Sequence, residues 1–415
     1  MKRRDFLKVA GAVSLAGCAT SGGAPSKARV VVIGGGFGGA TAAKYIRLWD
    51  PSIDVVLIER EVQFVSCPIS NLVLGGFTSM KDITRDRSGL ARHGVQVVRD
   101  EAVAVDAAKN TVRLAGGSEI AYERLVVSPG IDFTFGDVQG YEEAMQSGAV
   151  LHAWKAGPQT VALRAQLEAM PDGGVYLLSV PVAPYRCPPG PYERASMVAA
   201  YFKQAKPRSK VLVLDANPDV TSKPGLFKAA WKDLYAGILE YRGNAKVIGV
   251  ERGVVRTDFD TVRGDVLNVV PPHRAGDIAQ KAGLITTNNR WCDVDWRTME
   301  SKAAKGVHVL GDATLSASGM PKSGSMANNH AKIAAAAIVD LQTGREAQPL
   351  QIGNTCYSFV SEKEAIRVSS VHRWDAGQGT LLPVKGAGGV SAARSEAEGT
   401  YAWNWARTIW ADSLG

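Results

Sequence analysis

A glycine-rich turn between a short apolar strand and a helix constrains the fold of this chain more than any other feature. The segment RVVVIGGGFGGATAAKYIRLW predicts a strand at residues 29–33, a turn on the glycines and a following helix. Gly34 permits the tight turn, Gly36 lets the backbone approach a pyrophosphate, and Gly39 lets helix and strand pack closely. A second predicted strand, DVVLIER, ends on Glu59, which would accept hydrogen bonds from a ribose. This order of elements predicts a dinucleotide-binding domain, with the phosphates at the helix N-terminus.

Two later stretches predict that the same domain resumes after an insertion. ERLVVSPGIDF predicts a strand that ends at Pro129-Gly130, and KGVHVLGDATL predicts a strand at Val307–Leu310, followed by Gly311 and Asp312. An aspartate at such a strand end, aimed at the N-terminus of a long alanine-rich helix, suits the ribityl hydroxyls of a flavin. An N-cap for that helix is the alternative role of Asp312, and both roles can hold together.

A second α/β segment lies between these parts. Strands are predicted at Val175–Val180 and Lys210–Asn217, with a helix at Ala195–Gln204 between them, and Asp215 takes the position of a ribose-binding acid. The turn after the first of these strands, VAPYRCPPGPYERA, holds four prolines and one glycine. Prolines lack the N–H groups that cradle a pyrophosphate. The segment therefore predicts a nucleotide fold that has lost NAD(P)H binding and presents Cys187 instead.

The N-terminus predicts export. MKRRDFLKVAGAVSLAG carries the twin arginine Arg3-Arg4 before an apolar run that is too short to span a membrane, which is typical of a twin-arginine signal. LAGC also resembles a lipoprotein processing site, in which Cys18 would carry the lipid; ordinary cleavage nearby is the alternative. Either outcome predicts a protein of the periplasm, where disulfides persist.

Charge and cysteine spacing argue against several functions. Residues 1–17 carry a net +3 of the formal +8, and no dense Lys/Arg block remains, so nucleic acid is not an expected partner. The later cysteines fit neither a zinc ribbon nor a CxxC pair, so no metal site is predicted. No CxxCH sequence is present, so this chain carries no c-type haem of its own.

These features together resemble one branch of a flavoprotein superfamily. An FAD-type domain with an inserted second domain resembles the disulfide reductases that have two dinucleotide-binding domains. The details resemble the flavin subunit of flavocytochrome c sulfide dehydrogenase over residues 29–415. The motifs that carry this resemblance are FVSCPISNLVLGG, RCPPGPYERA, GMPKSG, NTCYSFVS and the terminal EAEGTYAWNWARTIWADSLG.

The resemblance implies an α/β fold with two Rossmann-like domains of the glutathione reductase type, the second inserted in the first, and a C-terminal α+β interface domain. The predicted boundaries are a signal and linker at 1–28, an FAD-binding domain at 29–150 and 281–348, an NAD-like domain without a nucleotide loop at 151–280, and the interface domain at 349–415.

A covalently bound FAD is also implied. Cys67 resembles the family's cysteine in thioether linkage to the flavin 8α-methyl group, whereas spacing alone also fits a buried free thiol. Lys322 would offset charge on the reduced flavin, and Trp405 would pack against the ring or simply fill a core. The full cofactor site predicted in this way comprises Gly34, Gly36, Phe37, Gly38, Gly39, Glu59, Arg60, Cys67, Ala102, Gly130, Asp312, Lys322 and Trp405.

Cys187 and Cys356 resemble the redox-active pair of the family. A structural disulfide that closes a long loop is the alternative for these two cysteines. Glu193 resembles a carboxylate near the flavin that moves protons, and an acid that stabilises a helix N-terminus is its alternative role. Cys292 has no implied partner and is expected to be a buried thiol.

The implied activity is oxidation of sulfide to sulfur or polysulfide, in which sulfide attacks the disulfide by thiol–disulfide exchange. Two electrons would pass to FAD and then to a separate c-type cytochrome subunit. A sulfide:quinone oxidoreductase held at the membrane and a non-catalytic flavin electron carrier are the alternatives. A pyridine-nucleotide reductase is disfavoured by the missing second glycine loop.

Overall fold

The computed structural model describes residues 28–415. The export signal predicted at Arg3 and Arg4 and the lipid site predicted at Cys18 lie outside the described residues. Within the described part of the chain, no helix is both long and apolar enough to cross a membrane.

A seven-stranded sheet forms the first layer of the fold. Its strand Arg29–Ile33 is paired in parallel on both sides, and the buried apolar residues of these strands are typical of a parallel sheet covered on both faces. The order across the sheet is Val294–Asp295, Glu300–Ser301, Val307–Val309, Arg124–Val127, Arg29–Ile33, Asp54–Ile58 and Val95–Val98. Because residues 307–309 pair with residues 124–127, this sheet is completed only after an insertion.

The insertion carries a second sheet, of five parallel strands. Their order is Val150–Leu151, Val266–Val269, Val175–Val180, Lys210–Asp215 and Leu239–Arg242. A short antiparallel pair, Ile131–Phe133 with His273–Ala275, joins the points where the chain leaves the first sheet and returns to it. One parallel sheet inserted within another confirms the predicted α/β fold with two Rossmann-like domains.

Three smaller antiparallel groups complete the strands outside the C-terminal part. They are Ala102–Asp106 with Thr111–Leu114 and Glu119–Ala121, Val247–Glu251 with Val254–Thr257 and Thr261–Arg263, and Phe64–Val65 with Thr84–Arg85. The helices are Phe37–Trp49, Ser70–Gly75, Met80–Ile83, Gly89–Arg92, Tyr141–Gln146, Pro158–Ala169, Gly190–Ala205, Pro224–Leu234, Asp277–Lys281, Gly324–Gln342 and Glu396–Leu414, with 3-10 turns at Phe135–Asp137 and Gly311–Ala313.

The C-terminal part is a three-stranded antiparallel sheet and a helix. The strands are Ile352–Phe359, Ala365–Asp375 and Thr380–Val390, and the helix Glu396–Leu414 follows them. This helix packs on the first layer, where the Tyr45 hydroxyl donates a hydrogen bond to Asp412 at 2.6 Å and the Trp410 indole donates one to Ser66 at 3.0 Å. The strand that carries Cys356 is thereby held beside the helices of both parallel sheets.

One helix begins earlier than the sequence indicates. Instead of Ala195–Gln204, the helix runs from Gly190 to Ala205, with Pro191 in its first turn. Proline is favourable there because the first N–H groups of a helix have no partner within it. Glu193 therefore lies inside the first turn of this helix, three residues after its start.

Candidate functional site

A cavity of about 780 Å³ lies where the two parallel sheets and the C-terminal strands meet. It brings together most of the residues that the sequence assigns to the site, from eight separate parts of the chain. The predicted residues in its lining are Gly34, Gly36, Phe37, Gly38, Glu59, Arg60, Cys67, Ala102, Gly130, Cys187, Glu193, Asp312, Cys356 and Trp405. Gly39 and Lys322 do not line this cavity.

The glycine turn opens one end of the cavity. Gly34 has a φ of +93°, and a Cβ there would lie 2.4 Å from the Ser128 carbonyl oxygen. A Cβ on Gly39 would lie 1.8 Å from the Gly34 oxygen, so this glycine lets the helix pack against the turn. A Cβ on Gly36, by contrast, would meet nothing within 4 Å, and the helix begins at the next residue. Open space at a helix N-terminus is suited to a phosphate group.

Glu59 is fixed at the end of its strand by three neighbours. Its carboxylate accepts hydrogen bonds from the backbone N–H groups of Gly35 at 2.7 Å and Glu61 at 2.8 Å. The buried guanidinium of Arg87 lies 3.4 Å from the same carboxylate and donates to the Gly35 carbonyl at 2.8 Å. Arg87 was not predicted as a site residue, and no motif in its segment points to it.

Asp312 has an unusual environment for a carboxylate. Its Oδ1 atom is buried and has no hydrogen-bond partner among the described residues. Burial raises the pKa of Asp312, although the positive charges of Arg186 and Lys322 oppose this rise. An unpartnered buried oxygen facing a cavity is costly unless a ligand hydroxyl or N–H donates to it. The Oδ1 atom, together with the open space at Gly36, fits an FAD whose pyrophosphate lies at the glycine turn and whose ribityl chain passes Asp312.

Cys67 lies on the wall of the cavity, just before the helix Ser70–Gly75. Its thiol contacts the carbonyl oxygen of Trp154 at 3.8 Å, and the backbone N–H of Ala156 points at its Sγ atom at 3.5 Å. The residue is half-buried rather than enclosed in the core, so its sulfur can face a ligand in the cavity.

Cys187 and Cys356 face the same cavity from different domains. Both are free thiols in this structure, so a bond between them stays a prediction. Burial raises the pKa of Cys187, and the charge of Cys356 raises it further. Cys187 has a left-handed backbone with a φ of +58°, a conformation that costs free energy for a residue other than glycine. Its N–H donates to the Lys322 carbonyl at 2.8 Å, which helps to hold this conformation.

Glu193 connects the two cysteine-bearing segments. Its Oε2 accepts a hydrogen bond from the Asn71 side chain at 2.7 Å, and its Oε1 accepts one from the Phe359 N–H at 2.8 Å. Burial raises the pKa of Glu193, while these hydrogen bonds and the charges of Lys223 and Arg194 lower it. Because burial and these partners shift the pKa of Glu193 in opposite directions, its carboxylate can hold or release a proton beside the thiols.

Arg194 was missed by the sequence analysis. Its guanidinium is almost fully buried and donates to the side chains of Asn71 and Asn268, at 3.0 and 2.9 Å. It also donates to the carbonyls of His152 and Ala153, at 2.9 and 2.7 Å. Four acceptors from three separate segments are thus held together beside the cavity. Its place beside Glu193 in the PYERA segment was the one available signal.

Lys322 and Cys292 lie behind the cavity. The Lys322 ammonium lies 3.7 Å from the centre of the Trp291 ring and donates to the backbone carbonyls of Asp312, at 3.1 Å, and Thr314. Burial lowers the pKa of Lys322 to about 7. Cys292 has no exposed surface, as expected for a buried thiol, and burial raises its pKa to about 12.

Asp215 is fully engaged within the protein. Its carboxylate accepts hydrogen bonds from the hydroxyls of Tyr192 at 2.7 Å and Tyr241 at 3.0 Å. It also accepts from the backbone and side chain of Asn217, at 2.9 and 2.7 Å. The position that would bind a ribose in a pyridine-nucleotide enzyme is therefore occupied by aromatic side chains, in agreement with the lost glycine loop.

Comparison with protein families gives three matches along this chain. Residues 160–271 match the central region of the flavoprotein chain of sulfide dehydrogenase (flavocytochrome c), and residues 349–414 match the flavin-binding region of flavocytochrome c sulphide dehydrogenase. Residues 28–157 match the pyridine nucleotide-disulphide oxidoreductases. The two sulfide dehydrogenase matches include Cys187 and Cys356, whereas the more general match includes the glycine turn and Cys67.

Individual relatives give the same picture. The sulfide dehydrogenase (flavocytochrome c) flavoprotein chain of Chlorobaculum thiosulfatiphilum is 64% identical over 45 residues, which are 11% of this chain and 94% of that sequence. The mitochondrial sulfide:quinone oxidoreductase of Dictyostelium discoideum is 24% identical over 301 residues, or 69% of this chain. The chain spans 65% of the length of that relative and of its mouse counterpart.

Solved structures support the fold. The sulfide:quinone oxidoreductase of Aquifex aeolicus superposes with a TM-score of 0.75 at 20% identity and covers 93% of this chain and 91% of its own. A putidaredoxin reductase, solved in complex with putidaredoxin, gives a TM-score of 0.67 at 15% identity, covering 92% and 93%. Both have the arrangement of sheets described above.

Proposed function

Because the chain belongs to the family of flavocytochrome c sulfide dehydrogenase flavoproteins, we propose that it oxidises sulfide with a bound FAD and a Cys187–Cys356 disulfide. The observation that carries this proposal is the position of the two thiols on the wall of a cavity that fits FAD, with Glu193 between their segments. FAD, when bound, supplies a two-electron acceptor that can pass electrons on singly. The proposed products are sulfur or polysulfide.

The protein's own residues have distinct roles in this proposal. The glycine turn and Glu59 hold the adenosine and pyrophosphate end of FAD, and Asp312 accepts a hydrogen bond from its ribityl chain. The cavity positions sulfide beside the sulfur atoms. Sulfide attacks one sulfur of the disulfide, which leaves a persulfide on one cysteine and a thiolate on the other. Glu193 holds or releases the proton that this exchange displaces.

We further propose that the electrons leave to a separate c-type cytochrome in the periplasm. Two features support this: the family's flavoprotein chains are named for a flavocytochrome c, and the sequence has a predicted export signal but no haem-binding motif of its own. A quinone is the alternative acceptor, since sulfide:quinone oxidoreductases share the fold and align with most of the chain.

Reoxidation of the sulfide-reduced holoprotein separates these two acceptors. The flavin is expected to bleach on addition of sulfide and to regain its absorbance at once with a c-type cytochrome, whereas decylubiquinone should reoxidise it at least about tenfold more slowly. The measurement is stopped-flow absorbance of the flavin under nitrogen. A faster reaction with the quinone would indicate a quinone-reducing enzyme instead. A flavin that sulfide does not bleach would favour a non-catalytic electron carrier.

Cys67 is proposed to carry the flavin covalently through a thioether to the 8α-methyl group. Acid denaturation of the purified holoprotein should therefore leave the yellow chromophore on the polypeptide, because a thioether survives acid. Cys67→Ser should release all of the flavin under the same treatment, whereas Cys292→Ser, a change at a thiol outside the cavity, should release none. Chromophore in the supernatant of the unaltered protein would show that Cys67 is not the attachment site.

A further inference from the structure

Lys223 is a buried lysine that the roles described so far do not use. It directly precedes the helix Pro224–Leu234, and its side chain is only 5% exposed. Its backbone has a φ of +56°, the left-handed region that disfavours a residue with a side chain. A charged group is costly to bury, and a strained backbone adds to that cost. Both costs need an explanation in the surroundings of the ammonium group.

The ammonium lies behind the strand that carries Cys356. Its Nζ atom donates a hydrogen bond to the Ser358 hydroxyl at 2.9 Å, the one side-chain hydrogen bond of Lys223 among the described residues. Ser358 and Cys356 are two residues apart in the strand Ile352–Phe359, so their side chains leave the same face of it. The next residue, Phe359, donates its N–H to Glu193. Lys223 thus lies close to both the Cys356 sulfur and the Glu193 carboxylate.

The charged groups around this lysine are nearly all acidic. Burial lowers the pKa of Lys223 to about 8, and the charges that raise it again are those of Cys356, Glu193, Cys187 and Glu398, in that order. The strongest of these influences comes from a thiol that is neutral unless it loses its proton. An anion on Cys356 would therefore compensate for the burial of the ammonium, together with the Glu193 carboxylate.

We propose that Lys223 is a positioning residue that stabilises the thiolate of Cys356, so that sulfide attacks Cys187 and Cys356 is the sulfur that leaves. The direction of attack rests on the proposed function. The stabilisation of the Cys356 thiolate by Lys223 does not depend on it. In the exchange, the electron pair of HS⁻ forms a bond to the Cys187 sulfur. The bond between Cys187 and Cys356 breaks with both electrons on Cys356, and the proton of HS⁻ stays on the persulfide or passes to Glu193.

The two cysteines differ in the charges that face them. Burial raises the pKa of Cys356, but the leading charge near it, that of Lys223, lowers it, and only Asp312 opposes from the cavity side. Around Cys187, the leading charges are those of Cys356 and Glu193, which raise its pKa. The charges of Arg186 and Lys223 lower the pKa by less. A negative charge is therefore better tolerated on Cys356, and the better-tolerated anion is the better leaving group.

Two further polar contacts orient the Cys356 side chain while it is protonated. Its thiol points at the Asn354 side-chain oxygen at 3.4 Å, and that oxygen accepts a hydrogen bond from Ser323 at 2.8 Å. Arg194, another nearby cation, is directed at Asn71, Asn268 and two backbone carbonyls, and its charge acts on Glu193. Lys223 is consequently the cation with the strongest influence on the Cys356 sulfur.

The thiolate can be measured without turnover. In the reduced holoprotein with Cys187→Ser, Cys356 is labelled with methyl methanethiosulfonate across a pH series and followed by peptide mass spectrometry. With Lys223→Met, the pH at the midpoint of labelling should rise by at least about one unit. This shift corresponds to a labelling rate that is about tenfold lower near pH 8. Lys223→Arg should restore most of the rate, and Ser358→Ala should shift it less, in the same direction. Lys206→Met, at another buried lysine, should leave the midpoint unchanged.

Two results would overturn the inference. One is an unchanged Cys356 midpoint in folded Lys223→Met, and the other is an equal shift with Lys206→Met. The direction of attack is tested separately, with the oxidised protein of unaltered sequence. Less than one equivalent of sulfide is added, and the persulfide is trapped. The trapped sulfur is expected on Cys187, and its recovery on Cys356 would reverse the assignment. If sulfide fails to bleach the flavin while the midpoint still shifts, the proposed function fails and the role of Lys223 stands.

Discussion

Cys187→Ser should abolish bleaching of the flavin by sulfide while the flavin itself stays bound. The expected loss is on the order of a thousandfold or more, as for other residues that act as a unit in covalent chemistry. Serine cannot form a disulfide, so sulfide would meet no electrophilic sulfur in the cavity. The residues that fit FAD are separate from this position: the glycine turn, Cys67 and Asp312 lie in the first layer. The test is the rate of absorbance loss after anaerobic addition of sulfide, with the bound flavin quantified beforehand.

Cys292→Ser provides the matched control for this variant. Its thiol is as buried as a core residue and lies outside the cavity, so its removal should change the rate by less than about twofold. Normal bleaching in Cys187→Ser would contradict the disulfide mechanism. An equal loss in both variants would indicate that general damage to the fold, rather than a missing disulfide, is responsible.

The fold was predictable because its signals are local in sequence. The strand, glycine turn, helix and Glu59 lie within about thirty residues, and the close contacts of Gly34 and Gly39 agree with the roles that the motif gives them. The Gly311-Asp312 element after a late strand indicated that the first domain resumes, and the sheet pairing agrees. The family was predictable for the same reason, since its motifs are short segments such as RCPPGPYERA, and the matches to its regions confirm it.

The supporting charges of the site were not predictable, because their partners are distant in sequence. Arg194 reaches Asn71 across 123 positions and Asn268 across 74, and Lys223 reaches Ser358 across 135. No spacing rule links such residues, and no motif in the local sequence points to Lys223. Burial turns an ordinary lysine into a determinant of thiol chemistry, and burial of this kind is set by how the two sheets and the C-terminal strands meet.

The prolines near Cys187 show how one local signal can have two consequences. They predict a turn that cannot hold a pyrophosphate, and the structure adds that one of them, Pro191, lies in the first turn of a helix. The helix starts at Gly190, where a Cβ would lie 2.9 Å from the Cys187 sulfur and 3.0 Å from the Trp154 ring. Glycine is therefore needed at this position for the close approach of the thiol and the indole. The sequence indicated the loss of a nucleotide loop, but the packing of the cysteine required the structure.

The largest effect on stability is expected for Arg194→Met, which should lower the free energy of unfolding by about 3–5 kcal/mol. Methionine fills a similar volume but leaves the Asn71 side-chain oxygen and the Ala153 carbonyl without their donor and takes one of two donors from Asn268 and from the His152 carbonyl. It also removes a compensating charge from Glu193. Urea denaturation of the holoprotein, followed by tryptophan fluorescence, measures the change. Arg208→Met is the control, because that guanidinium is 77% exposed and pairs only with Asp172 at the surface, so a much smaller loss is expected. Equal stability of the two variants would mean that the buried guanidinium is not what joins the segments beneath the cavity.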